Sequence, residues 1–545
     1  MKLRIGLVLA LAVTAMGAQK KPAADNCTPP PSALAPTLPA KLLDGMGTVH
    51  LAITTSNPEA QKFFDQGLAQ MHSFWAREAE RSFLQAAALD PAAPMPQWGV
   101  AMVAGGDWRP RFQIDLLVEI QQGKLPVPPA MARARAAAQK ALELSAVPGK
   151  ATELEKLYVA AVAARRDKHA RDPEEAFVQG MRNVLAKYPN EVEAKLDLSL
   201  MVMRGFAKIG KKPLGPGTME AVNILRALVK ENPEHPGVHH YIIHGWEGSA
   251  FANEAWPSCE KYGQLVPNIP HAVHMPGHIY SQTGRWDDAV KSFAAAAVNE
   301  RMWMGKDKLY GDGHHGHNVH YLATSYSFEG RYQDAFEAAT ELLGYKENPG
   351  VTSAADSFTG AYAQGWFAML RTLVQFRKWE LILDGTTLPE LPRARQQAWR
   401  HWARAVAFAN TGKTAEADAE AKLMDQSLAD FKIKTNRAAE PPELKVARLE
   451  LLGQLELAKG HVKPGLKQLQ AASDAEKHLT YTEPPYYPRP VAEALGQAAL
   501  KNHDISLAEK AFKTALEQYP ADAHAEKGLK TAAVMRSGGP VPAEE

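Results

Sequence analysis

One recurring spacing constrains this chain more than any other feature. In "QGLAQMHSFWAREAERSFLQAAALDP", Gly67 is followed by Ala79, Phe83, Ala86 and Pro91. The same offsets return at Gly496, Ala508, Phe512, Ala515 and Pro520, and Gly277, Ala289, Phe293 and Ala296 repeat them without the closing proline. Weaker copies surround Ala323, Tyr326, Gly330 and Ala335, then Ala405, Phe408, Gly412 and Ala417, then Gly453, Gly460, Leu469 and Ala472. A small residue in one helix lets a second helix pack closely, and the aromatic ring fills the gap between them. One such pair cannot bury its own apolar face, so pairs must stack into a solenoid. The pattern predicts an all-α chain, and an alanine-rich composition with few β-branched runs agrees. At 545 residues the chain is also too long for one compact core but suits an array.

These offsets resemble those of the tetratricopeptide repeat (TPR), a helix–turn–helix unit of about 34 residues. The resemblance runs from about Asn57 to Gly528. At a finer level, "GTVHLAITTSNPEAQKFFDQGLAQMHSFWAREAERSF" and "HPGVHHYIIHGWE" resemble a group of large exported bacterial TPR proteins of unsettled activity. What the resemblance implies is a fold, export, and a concave groove of the kind in which such arrays hold a peptide or partner protein.

The first residues, "MKLRIGLVLALAVTAMGA", combine a basic start, an apolar run from Ile5 to Val13 and small residues from Ala15 to Ala18. That is a secretory signal pattern, too short in its apolar part to span a bilayer. The expected location is periplasmic or secreted, with no transmembrane segment after signal removal. The following "KKPAADNCTPPPSALAPTLPA" reads as a disordered, proline-rich linker. The expected division is a signal peptide at 1–18, the linker at 19–45, N-terminal repeats at 46–130 and central histidine-rich repeats at 131–345. C-terminal repeats follow at 346–532, with a disordered tail at 533–545. The net charge of +2 makes no electrostatic case for nucleic acid or an anionic membrane. Cys27 and Cys259 form a disulfide or stay as two thiols; two residues so far apart in sequence do not decide it.

Of 19 histidines, 11 fall between His235 and His320, a window of under a sixth of the chain. Their register in the repeat is more telling. With Ile243, Gly277 and Ala323 as the small-residue positions of three first helices, His240, His274 and His320 stand three residues earlier. His244 and His278 stand one later, and His271 and His317 six earlier. At about 100° per residue these offsets fall within roughly 60° on one helical face. Glu247 shares that face. Two i, i+4 pairs, His240/His244 and His274/His278, supply nitrogens that Zn, Cu, Fe or Ni accept, and Glu247 adds an oxygen. The candidate metal ligands are therefore His240, His244, Glu247, His271, His274, His278, His317 and His320, expected along the inner wall of the groove. The glycine-containing stretch "KLYGDGHHGHNVHYL" reads as a flexible loop whose His314 and His315 close over the site. Ordinary packing or solvated roles are expected for His50, His169, His235, His239, His401, His461, His478, His503 and His524. His72 also reaches toward the groove of its own repeat.

Other chemistry finds little support. "TGKTAEA" lacks the first glycine of a phosphate loop, and the sequence holds no Gly-x-Ser-x-Gly, Cys-x-x-Cys or His-Glu-x-x-His. Trp98, Met102, Trp366 and Trp402 read as core. Arg109 is a candidate anion contact, and "TEPPYYPRP" reads as a rigid connector exposing Tyr486 and Tyr487. Two functions follow: an exported solenoid that binds a transition metal in its groove, or a non-catalytic scaffold for a peptide or protein partner. If a coordination position stays open, metal-bound water or O₂ chemistry becomes available with a histidine or Glu247 as base, but the residues name no reaction.

Overall fold

The computed structural model describes residues 36, 39–106, 129–206, 212–306, 310, 312–346, 360–435, 440–479 and 481–538. The expected signal peptide, most of the linker, Cys27 and Arg109 lie outside the described residues. Among those described, 23 α-helices and one short 3₁₀ turn follow one another, with a single isolated bridge, Phe206 to Pro213, in place of any sheet. The first helix starts where its residues require. Asn57 caps Pro58–His72 by accepting from the Glu59 N–H at 2.9 Å, and Pro58 occupies the first turn, where its missing donor costs nothing.

Consecutive helices pack in hairpin pairs: Pro58–His72 with Ala76–Leu89, Pro270–Gln282 with Trp286–Lys306, and Val491–Lys501 with Ile505–Gln518. The recurring glycines explain how closely they pack. A Cβ on Gly67 would stand 2.6 Å from the Phe83 ring, and one on Gly277 or Gly496 would meet Phe293 or Phe512 at the same distance. Gly99 and Gly528, at the start of the next pair, crowd the other face of Phe83 and Phe512. The Phe83 and Phe512 rings are thus each held between two bare backbones. This is the tetratricopeptide architecture, and Trp98, Met102, Trp366 and Trp402 lie in its core as expected.

The array curls until both ends touch its middle. From the first pair, Trp75 meets Trp303 edge-on at 4.6 Å between centroids, and Glu78 accepts from the Tyr310 hydroxyl at 2.8 Å. From the C-terminal end, the Pro520 carbonyl accepts from the Trp286 indole at 2.8 Å, and Tyr519 stacks on Phe328. The Ser327 carbonyl accepts from His524 at 3.0 Å. "TEPPYYPRP" differs from its expected role. Tyr487 is buried against Trp399 and Trp402, its hydroxyl donates to Glu450, and its carbonyl accepts from the buried Arg371 at 3.1 Å. Tyr486 lies under the Arg395 guanidinium. The segment is a keystone between helix pairs: the carbonyls of Pro485, Tyr487 and Pro488 all accept from the buried Arg371. The last helix runs to Arg536, four residues into the expected tail. No helix among the described residues is long and apolar enough to cross a membrane.

The glycine positions give a direct test. Alanine in an unobstructed helix is about 1 kcal/mol better than glycine, but at Gly496 the Phe512 ring is blocked on its far side by Gly528. Gly496→Ala is expected to cost about 1–3 kcal/mol through overpacking, read as a lower thermal midpoint with unchanged far-ultraviolet circular dichroism at low temperature.

Candidate metal centre

Three helices carry the histidines: Pro236–Trp246, Pro270–Gln282 and Gly313–Phe328. Pro236 and Pro270 open the first two, which sets their starts and so the phase of the residues behind them. All eight candidate ligands are 0% to 3% exposed. They do not line an open groove. Phe74 covers one end, edge-on to His240 at 4.3 Å and stacked on His244 and His271 at 5.1 and 5.3 Å between centroids. Glu483, from the C-terminal connector, covers the other.

Four overlapping groups of residues each bring ligand atoms within 4.8 Å of one another: His240, His244 and His271; His271, His274 and His314; His274, His278 and His317; Glu247, His278 and Glu483. Within the first, His240 Nε2 and His271 Nε2 are 3.1 Å apart. Within the third, His274 Nε2 and His278 Nε2 are 3.0 Å apart. The partners of the other ring nitrogens fix the tautomers. His240 Nδ1 faces the His72 carbonyl, which can only accept, so the proton is on Nδ1 and the neutral ring keeps its lone pair on Nε2. His244 Nδ1 donates to Glu247 Oε2 at 3.1 Å, with the same result. His278 Nδ1 faces Glu483 Oε1 at 3.3 Å and Glu247 Oε1 at 3.7 Å. This is the arrangement in which a carboxylate or carbonyl behind an imidazole aims its far nitrogen at an ion.

Several expectations change. Glu247 stands behind both His244 and His278, with one carboxylate oxygen toward each, and also joins His278 and Glu483 in the fourth group. His314 and His315 are not in a loop: Gly313–Phe328 is helical, and Gly316 serves close packing, since a Cβ there would lie 2.7 Å from the Ala361 Cα. His314 joins the cluster, with Nδ1 on the Glu300 carboxylate and a buried Nε2 that has no hydrogen-bond partner. His315 faces away, donating to Glu341 at 3.0 Å. His320 shares its repeat offset with His240 and His274 but turns toward the neighbouring helix Ala361–Gln375, where Gln364 accepts from its Nδ1. It belongs to none of the four groups. Glu483 and Glu300 carried no signal in the sequence, because both reach the cluster through tertiary packing of distant or differently phased segments.

Electrostatics follow from burial. Burial first, then neighbouring imidazoles, hold His271, His274 and His317 well below the ordinary histidine range, so all three are neutral, the form that ligates. Burial, then Arg371, pushes His320 down to about 3. For Glu247 burial pushes upward, but His244 and His278 outweigh it and hold the carboxyl below the usual range.

A second buried centre lies behind the first. Glu193 bonds both His72 Nε2 and, at 3.0 Å, His235 Nε2, while the Tyr241 hydroxyl meets His72 Nδ1 at 3.0 Å. Burial pushes Glu193 upward, yet His72 and His235 outweigh it and keep it ionised. This network pins the first helix pair against the histidine helices and sets the His72 carbonyl on which His240 depends. Glu193→Ala is expected to cost about 3–5 kcal/mol, the range for removing one partner of a buried pair. Glu220→Ala, at an exposed pair with Arg182, is expected to cost about 1 kcal/mol or less. Equal losses in denaturant titrations of the two variants would contradict this.

No family model and no curated protein matches the chain. Among solved structures it is similar to the APC/C hetero-tetramer Cut9-Hcn1, at 13% identity over 87% of this chain and 76% of that one, with a TM-score of 0.31. It is also similar to yeast Tom70, at 13% identity over 88% and 90% with a TM-score of 0.27. A human IFIT1 dimer with m7Gppp-AAAA gives 14% over 77% and 90% with a TM-score of 0.30. Likeness this distant carries nothing about ligand or partner.

Proposed function

We propose that this protein is an exported TPR solenoid that binds a transition metal, Zn, Cu, Fe or Ni, in its buried histidine core. The observation that supports this best is the pair of Nε2–Nε2 approaches, 3.1 Å for His240 with His271 and 3.0 Å for His274 with His278. Two nitrogens on one tetrahedral ion at about 2.0 Å sit roughly 3.3 Å apart, so each pair is already near the spacing an ion needs. The donor set fits as well. Imidazoles held neutral by burial suit borderline ions and not Mg or Ca, which take oxygen. The buried His314 Nε2 and His271 Nδ1, each without a hydrogen-bond partner, are polar atoms whose burial needs compensation. Burial also takes the histidine face away from any surface on which a peptide could lie, which favours an ion over a groove-bound partner.

In this reading the chain's own residues do three things. The His72 carbonyl and Glu247 hold protons on Nδ1 of His240 and His244, and Glu483 faces Nδ1 of His278. Phe74 and Tyr321 pack against the rings and exclude water, Tyr321 lying 4.9 Å from the His278 ring. Glu247, Glu300 and Glu483 offset cationic charge. A bound ion would supply Lewis acidity or redox chemistry, and the residues name no substrate.

Elemental analysis of protein purified without added metal, and after dialysis against each of the four ions, tests the proposal. Stoichiometric metal is expected, reduced in His274→Ala/His278→Ala and unchanged in His320→Gln. No metal under any condition would overturn it. Export is tested by fusing residues 1–18, with Lys2, Arg4 and the apolar run Ile5–Val13, to a reporter; retention of the reporter in the cytoplasm would overturn that part.

A further inference from the structure

The four groups of ligand atoms cannot all be filled together. A neutral imidazole has one lone pair and gives it to one ion. His271 is common to the first and second groups, His274 to the second and third, and His278 to the third and fourth. Filling the second group therefore empties both the first and the third. Among the all-histidine groups, only the first and third share nothing.

These two are also the groups in which the structure has prepared the nitrogens. Each contains an i, i+4 pair from one helix plus one histidine from the next: His240 and His244 with His271, and His274 and His278 with His317. Each holds one Nε2–Nε2 approach of 3.0 to 3.1 Å. Nδ1 is backed by acceptors at His240 (the His72 carbonyl) and His244 (Glu247) in the first, and at His278, which faces Glu483 and Glu247, in the other. Glu247 is the link, since one carboxylate oxygen serves His244 and the other faces His278. The inner members of the two triads, His271 and His274, lie 5.2 Å apart between ring centroids. His314 lies between them, 5.9 Å from His271 and 5.1 Å from His274.

Resting on the metal-binding reading above, we propose that the core holds two transition-metal ions at once. One sits on His240, His244 and His271, and the other on His274, His278 and His317. Glu247 orients a ligand of each ion, and His314 stands between them as a seventh imidazole able to complete the coordination of one. Two cations side by side in a buried site repel, and Glu247, Glu300 and Glu483 lie close enough to offset that charge. A lone ion on the middle group, His271, His274 and His314, would leave both prepared pairs idle. Two ions use both.

The test is stoichiometry on the full chain. Titration of metal-free protein with Co²⁺, followed by its visible absorption, is expected to break at two equivalents. After dialysis against Zn²⁺, elemental analysis is expected to give two ions in the wild type and one in either His244→Gln or His317→Gln. His314→Gln is expected to keep two. A break at one equivalent, with metal abolished by His314→Gln, would overturn the two-ion proposal in favour of the middle group and leave metal binding intact. A wild type that takes up no metal would instead overturn the metal-binding reading itself. The wild-type titration needs no variant, so a substitution that prevents folding does not leave the question open.

Discussion

Seven imidazoles packed together and sealed from water form the constraint around which the rest of this structure is arranged. Polar groups taken from water without partners cost several kcal/mol, so such a cluster must be hydrogen-bonded, ligated, or both. The structure supplies the hydrogen bonds on the outer side of three rings, through the His72 carbonyl, Glu247 and Glu300. On the inner side the rings mostly meet one another. An ion among them turns that mutual crowding into coordination, and burial keeps the rings neutral for it.

The solenoid is what makes the arrangement available. Phenylalanines clamped between glycines fix the distance between helices, and the repeat fixes their phase, so equal offsets in successive repeats arrive at one place. Curling then adds residues from outside the histidine-bearing helices. Phe74 comes from the turn of the first pair and Glu483 from the connector near the other end, and both close the core. The Glu193 network holds the first of these closures. A protein built this way couples the integrity of its superhelix to the centre inside it.

Much of this could be read from the residues, and the parts that could not share a cause. The helix pairs, the clamped aromatics and six of the seven clustered histidines follow from periodicity, because periodicity is local and helices obey it. His320 shows its limit: it has the same offset as His240 and His274, but its helix packs against Ala361–Gln375, and Gln364 captures the ring. His314 shows another, since Gly316 reads as part of a loop when it permits a helix to approach a neighbour. Tyr487 was expected in solvent and is buried, because the sequence does not reveal that Arg371 needs the carbonyls beside it. The role of Glu247 as an orienting group, and the arrival of Glu483, depend on curvature, which no single repeat encodes.

Diffraction at the zinc absorption edge from crystals grown with Zn²⁺ tests the central claim most directly. The account predicts two anomalous peaks inside the core, one among the Nε2 atoms of His240, His244 and the adjoining His271, the other among His274, His278 and His317. A core without anomalous density, in a crystal where zinc is bound at surface histidines such as His503, would contradict it.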